Sequence, residues 1–284
     1  MAERLADVVA QIQNVRQLES VVTAMRGIAA SRAQRGRALL AGIDAYSRVV
    51  SRAIGHALSL MPADMPRSPS LLRGKLGLVL FCAEQGFAGA FSERVLDAAA
   101  SDVSSAVVLM IGTRGTIVAK ERGLLPTWTA PMATHVDAIP AIANQIADAL
   151  YGQIASTAIV RVDIVVSRSA SGGGIYVDRH SLLPLDLTKF ARPINEQPPL
   201  TTLSPHDLLE RLTAEYVYAQ LCEAAMHAFA SENDARMMAM AAAKTNIGTK
   251  LTSLSQREQQ LRQAEITTEI VELAAGAEAS LRRR

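Results

Sequence analysis

The amino-acid sequence predicts an α/β fold: a long antiparallel two-helix coiled coil, formed by the N- and C-terminal segments, joined to a central α/β domain. Three observations carry this. All eleven prolines fall between positions 62 and 205, so two long proline-free segments flank a proline-containing middle. Hydrophobic residues make up 49% of the 284 positions but aromatics only 4%, which leaves alanine carrying much of the apolar content and favours long, closely packed helices. Runs rich in Val, Ile and Leu with strand character are concentrated in the middle. The predicted segments are residues 1–60, 74–190 and 204–284.

In the first segment, apolar residues recur at Leu5, Val8, Ile12, Val15, Leu18, Val22, Met25 and Ile28. Steps of three and four are helical and close to a coiled-coil seam. An unbroken helix over residues 3–59 would be ~85 Å long at ~1.5 Å per residue. Gly27, Gly36, Gly42 and Gly55 each cost about 1 kcal/mol against alanine, so local bending is expected there.

The middle reads as strands at residues 76–82 (LGLVLFC), 106–111 (AVVLMI) and 158–166 (AIVRVDIVV), with helical patterns at 92–100, 114–121 and 138–154. Alternating strands and helices predict a mostly parallel sheet, a Rossmann-like α/β domain. A last strand at 175–182 follows Ser171-Gly172-Gly173-Gly174, which predicts a hairpin.

The final segment opens on Ser204-Pro205-His206-Asp207: an N-cap, a proline suited to the first turn, and a short-armed capping box. With no later proline, it predicts a helix of up to ~115 Å. Its apolar positions include Leu208, Leu212, Tyr216, Ala219, Ala228, Ala235, Met238, Ala242, Ile247, Leu251, Leu254 and Leu261. Paired antiparallel, the shorter N-terminal helix runs out near Leu261. Beyond it Ile266, Ile270, Leu273 and Ala277 still form a stripe, with nothing in the chain to cover it. Met237, Met238 and Met240 read as core filler, with a surface that must slide or repack as the minority alternative.

A net charge of +2 demands no nucleic-acid partner, and the cluster Arg32, Arg35 and Arg37 reads as a solvated helix face, with contact to an acidic or polar partner as the alternative. Cys82 and Cys222 lack CxxC spacing and read as buried free thiols. The opening MAERLADVVAQ has no signal-peptide core, and no apolar run reaches the roughly 18 residues of a membrane span. The expectation is a chain that is soluble, or peripheral to a membrane through partners.

The enzymatic candidates are two strand-to-helix turns. EQGFAGAF at 84–91 offers G-x-x-G where a dinucleotide fingerprint needs G-x-G-x-x-G, and IGTRGT at 111–116 lacks a phosphate-loop Gly-Lys-Ser/Thr. Both read as tight turns needing small residues. His56, His135, His180, His206 and His227 are scattered without metal-ligand spacing. Asp178-Arg179-His180 alternates faces in a strand, and Ser171-Gly172 lacks a nucleophile elbow. No catalytic, cofactor or metal site is expected.

Three stretches carry a family resemblance. Thr23-Ala24-Met25-Arg26-Gly27-Ile28-Ala29-Ala30-Ser31-Arg32 is similar to Lys-Ala-Met-x-x-Val-Ala-Ala-Ser-Lys. The run Ala230-Ser231-Glu232-Asn233-Asp234-Ala235-Arg236-Met237-Met238-Ala239-Met240 is similar to a C-terminal signature. Arg262-Gln263-Ala264-Glu265-Ile266-Thr267-Thr268-Glu269-Ile270 is similar to Arg-Gln-x-x-Ile-Thr-x-Glu. Together they resemble the gamma subunit of F-type ATP synthases, the central rotor shaft, over the whole chain. The middle departs: Glu84-Gln85-Gly86-Phe87-Ala88-Gly89-Ala90 stands where the family usually has Asp-Arg-Gly-Leu-Cys-Gly-Gly. Such departures imply a divergent bacterial branch, such as an alternative second ATPase.

The resemblance implies a torque-transmitting subunit without catalysis of its own, coupling ion flow through a membrane ring to ATP synthesis or hydrolysis. Implied partners are the alpha and beta subunits, the epsilon subunit and the membrane c-ring, at the cytoplasmic face of the bacterial inner membrane. Implied hexamer contacts are Met25, Arg262, Gln263, Ile266, Thr267, Glu269, Ile270 and Leu273. Implied intrachain pairing brings Met25 to Arg236, Met237 and Met240, and Arg32 and Arg35 are candidate foot contacts. On sequence physics alone, a static coiled-coil adaptor with an α/β head competes equally, and a nucleotide-dependent oxidoreductase is a distant third.

Overall fold

The computed structural model describes residues 4–61, 74–157, 159–170, 172–191 and 200–281. The proline-free segments form α1 (Leu5–Ser59) and α5 (Pro205–Leu281), each an unbroken α-helix despite its glycines. At the start of α5 the Ser204 Oγ accepts the Asp207 amide at 3.2 Å. The Asp207 carboxylate accepts the Ser204 hydroxyl at 2.7 Å, its arm being too short for the full reciprocal box. The chain divides into two compact units, one of residues 29–236 and one of the residues before 29 with those from 237 onward.

In the first unit, β1 (Lys75–Phe81), β2 (Val107–Ile111), β3 (Trp128–Ala130), β4 (Ile159–Ser169) and β5 (Ile175–Leu183) form one mixed sheet in the order β3-β2-β1-β4-β5. β1 lies parallel to β2 and β4, and β3 parallel to β2. β5 returns antiparallel to β4, through a turn in which Gly173 takes φ +87°. Ser171 of that turn lies outside the described residues. β3 is an element that the sequence reading misses, because three half-exposed residues after Pro126 carry no period.

Between the strands run α2 (Phe91–Ala99), α3 (Thr113–Glu121) and α4 (Ile139–Thr157). Successive residues of β1 and β2 are apolar because both sheet faces are covered. Val79, Phe81, Leu109 and Ile111 pack with α4 (Ile139, Ile146, Leu150) and α5 (Val217, Leu221, Ala225, Phe229). Leu78, Leu80, Val108 and Met110 pack with Val95 and Leu96 of α2 and Val118 of α3. A smaller cluster joins Val50, Ile54 and Leu58 of α1 to Phe190 and Leu209. Asp163, fully buried on β4, is neutralised by Arg161 at 2.8 Å and Arg179 at 3.0 Å.

α1 and α5 approach closely in this unit at Gly36. A Cβ built there would stand 3.2 Å from both the Ala230 Cβ and the Phe229 ring. Gly36, one of the four glycines that looked like bending points, is therefore a packing residue.

In the second unit the same two helices form the antiparallel pair. Val8 and Ile12 pack on Leu254 with Leu251 and Leu261, while Val22 packs on Met240 and Ile247 with Met25, Ala239 and Ala243. Met240, Ile247, Leu254 and Leu261 are spaced by sevens, a heptad seam. The expected stripes need correcting at four places: Leu18, Ile28 and Met238 are about half exposed, and Ala242 is exposed. From Val8 the alternating four-three step leads to 12, 15, 19 and 22, so Leu18 falls one residue, about 100°, off the seam.

Gly36→Val is expected to destabilise the chain by about 1–3 kcal/mol through overpacking against Ala230. Gly42→Ala, where a new Cβ meets nothing within 4 Å, is expected to stabilise it by up to about 1 kcal/mol. Urea denaturation of both variants checks the pair.

Candidate functional site

The turn after β1 is where an α/β sheet of this order would receive an anionic ligand, at the carboxyl ends of the strands where the order reverses. Here the chain fills those positions with its own carboxylates. Glu84 sits at the N-terminus of α3 and accepts the Thr113 amide at 2.9 Å, the Thr113 hydroxyl at 2.8 Å and the Met132 amide at 2.7 Å. A carboxylate thus occupies the place at which a helix N-terminus would attract a phosphate.

A second carboxylate comes from α5. Glu232, buried, accepts the Glu84 amide at 3.0 Å and the Gln85 amide at 3.1 Å. Arg236, one helical turn on, donates to Glu232 at 2.5 Å and to the carbonyls of Gly86 (3.1 Å) and Gln85 (3.3 Å). Its Nη1 donates to the Asn233 side-chain oxygen at 3.1 Å. Around this clasp Asp234 takes both Arg37 (2.6 Å) and the Ser169 hydroxyl (2.6 Å), and the Ser231 hydroxyl reaches the Ser167 carbonyl at 2.8 Å.

Residues 231–234 and 236 are therefore a buried polar patch inside an apolar helix. Sequence reasoning read this stretch for its small residues and methionines and missed the patch. The available signal was four successive polar residues on a helix segment otherwise bounded by alanines, which must be either exposed or fully paired. The solvated-face reading of the arginine cluster is qualified at Arg37, which is 47% exposed but also pairs with the buried Asp234 carboxylate. Arg35 is exposed and Arg32 half-buried.

The clasp shapes the loop. Phe87 is the one non-glycine residue with positive φ (62°) among the described residues, and it stands 68% exposed. Ala88 and Phe91, which follow it, are buried with Ala83 and the half-buried Ala235. The glycines of the next turn are equally structural: a Cβ on Gly115 would lie 2.0 Å from that of Cys82. Cys82 and Cys222 are buried free thiols, and burial, with Glu93 and Glu232 nearby, pushes Cys82 up to about 12. Among the described residues one metal-type group assembles, His206, Asp207 and Glu210. It is exposed on the first turn of α5, where the helix dipole opposes a cation.

In the paired-helix unit, Met25 and Met240 share one cluster, and Met237 is half-buried. Arg236, expected at that pairing, turns instead to the loop after β1, because only there do Glu232 and two carbonyls satisfy its guanidinium. Apolar coverage along α5 ends at Leu261. Beyond it every residue through 275 is exposed, with Ile266 at 50%, Ile270 at 60% and Leu273 at 75%. Arg262 pairs along its own helix with Glu258 at 2.7 Å, Thr267 donates to the Gln263 carbonyl at 2.8 Å, and Glu269 is exposed. The arginines at 282–284 lie outside the described residues.

The ATP synthase gamma chain of Clavibacter michiganensis subsp. michiganensis is 27% identical over 288 residues, covering 95% of each chain. A family model described as ATP synthase matches residues 4–280. The chain belongs to the ATP synthase gamma-chain family. Its function is that of the family, rotor coupling by a subunit that is not itself catalytic. The fold is shared with a chain of the Euglena gracilis mitochondrial ATP synthase rotor (TM-score 0.62, 13% identity, 92% of this chain and 98% of that one). It is also shared with one of the Tetrahymena thermophila mitochondrial central stalk and c-ring (TM-score 0.53, 18% identity, 78% and 99%). Among the described residues no helix of this gamma-family chain is long and apolar enough to cross a membrane.

Removing one member of the clasp leaves a buried charge behind. Arg236→Met is expected to cost about 3–5 kcal/mol, and Arg236→Met with Glu232→Gln together less than the sum of the single changes. A double-mutant cycle in urea tests this, and additivity would show the two groups to be independent.

Proposed function

We propose that the chain is the central rotor shaft of an F-type ATP synthase, with the far part of α5 as its bearing in the alpha/beta hexamer. The observation carrying this is the stripe Ile266, Ile270 and Leu273, solvent-exposed beyond the last covered position at Leu261. A membrane ring turns the shaft, and the shaft forces the nucleotide sites of the beta subunits through their states in turn. The epsilon subunit and the c-ring bind the central part of the chain, residues 74–190, with Arg32 and Arg35 among the foot contacts. That part is a Rossmann-like domain whose ligand crevice is closed by Glu84 and Glu232. The helical segments 1–60 and 204–284 serve as the torque-bearing pair, and the complex sits at the cytoplasmic face of a bacterial inner membrane.

Contact with the hexamer divides into two kinds. Ile266, Ile270 and Leu273 seat by passive apolar fit, each contributing about 1.5–3 kcal/mol when enclosed. Arg262, Gln263, Thr267 and Glu269 offer directed polar groups just past the end of the seam, and Met25 lies where the surrounding subunits meet the paired helices. Smooth, small-residue surfaces suit this work, since each step must leave comparable contacts behind it. The family membership favours this reading over a static adaptor.

Replacing Ile266, Ile270 and Leu273 together by aspartate is expected to impair assembly with alpha and beta subunits, because burying unpaired charge costs several kcal/mol. Arg262, Gln263 and Thr267 changed together to alanine should permit assembly but weaken coupling. Co-purification and ATP-driven rotation of the reconstituted complex measure both. Normal assembly of the aspartate variant would sink the bearing, and unchanged torque in the alanine variant would sink the polar contacts.

A further inference from the structure

Arg168, at the end of β4, holds three elements together. Its Nε donates to Asp178 of β5 at 2.9 Å, and both terminal nitrogens donate to Glu223 of α5 at 3.1 Å. Gln220 extends the chain of bonds to α1, donating to Glu223 at 3.3 Å and to the Ser47 hydroxyl at 3.0 Å. Two imidazoles face the same two carboxylates. His180 Nδ1 lies 3.2 Å from Asp178, and His227 Nε2 lies 3.8 Å from Glu223. All of these residues belong to the one unit of residues 29–236.

We propose that this cluster is an acid-sensitive clasp, in which protonation of His227 loosens the hold of α5 on the β4–β5 edge. The groups facing His227 come from every element around it: Arg168 from β4, Asp178 from β5, Glu223 from its own helix and Asp44 from α1. An imidazolium there competes with the Arg168 guanidinium for Glu223 while being repelled by it, in a place with little water. Burial first, then Arg168, holds His227 below its ordinary value of 6.5, against the weaker pull of the carboxylates. The unfolded chain therefore takes up the proton before the folded chain does. Stability is unaffected above pH ~6.5 and falls as the pH drops from there towards the folded-state value.

The test uses the full-length chain labelled with 13C at the histidine Cε1 positions, titrated by NMR from pH 8 to pH 5. A resonance absent from the His227→Gln spectrum should titrate below 6.5. In parallel, amide exchange over residues 175–183 and 220–229, corrected for intrinsic rate, should rise as the pH falls below 6.5. The rise is expected to reach at most about tenfold per pH unit for one proton. It should be lost in His227→Gln and kept in His180→Gln. A resonance titrating at or above 6.5, or protection that is independent of pH in the unsubstituted chain, would overturn the clasp. The protection reading comes from the natural sequence alone, so it stands even if a variant fails to fold.

Discussion

A carboxylate taken out of water must be given donors, and Glu232 is buried within an α-helix whose own amides are already used. Its donors are the amides of Glu84 and Gln85 and the guanidinium of Arg236. Much follows from that requirement. The loop after β1 must bring two successive N–H groups to α5, which sets its path. Arg236, once placed, binds the carbonyls of the same loop, so amides and carbonyls of one short segment are held by residues one helical turn apart. Phe87 is left in the left-handed region with its ring outward, a conformation worth of order 1–3 kcal/mol of strain that the surrounding bonds maintain. The same network removes the chemistry that the fold might otherwise offer. Donors that would cradle a phosphate already hold Glu84 and Glu232.

The alanine-rich character of this part of α5 has a related cause. Helix α5 must come close enough to β4 and to α1 for short polar side chains to reach. Ser231 bonds the Ser167 carbonyl directly, and Asp234 meets both Ser169 and Arg37. At Ala230, opposite Gly36, the two helices touch with almost no side chain between them. Larger residues would separate the helices and leave the buried polar groups unpaired. Methionine takes over where the polar patch stops, and Met240 fills the seam with Val22 and Ile247.

In the paired-helix unit the physics is simpler. Aliphatic residues at heptad spacing bury one another as far as Leu261, and past that point the helix continues with an apolar stripe on its exposed surface. Among the described residues nothing covers this stripe, so it adds no burial to the fold of this chain.

The sequence by itself determined the two long helices, four of the five strands, the antiparallel hairpin, the capped start of α5 and the uncovered end beyond Leu261. These are local properties: proline placement, periodicity and the lengths of two segments. It also determined the absence of phosphate-loop patterns, and the resemblance at Thr23–Arg32 and Ala230–Met240 pointed to the family. The tertiary structure alone decided what Glu232, Arg236 and Arg37 do, because a charged residue on a helix reads the same whether it meets water or a partner some 150 or 200 positions away. It decided that Leu18 and Met238 lie off the seam, since a one-residue offset changes a side chain's direction by about 100° while hardly altering the apolar pattern. It also decided that β3 exists, because a three-residue edge strand is made by its neighbour's hydrogen bonds and has no period of its own.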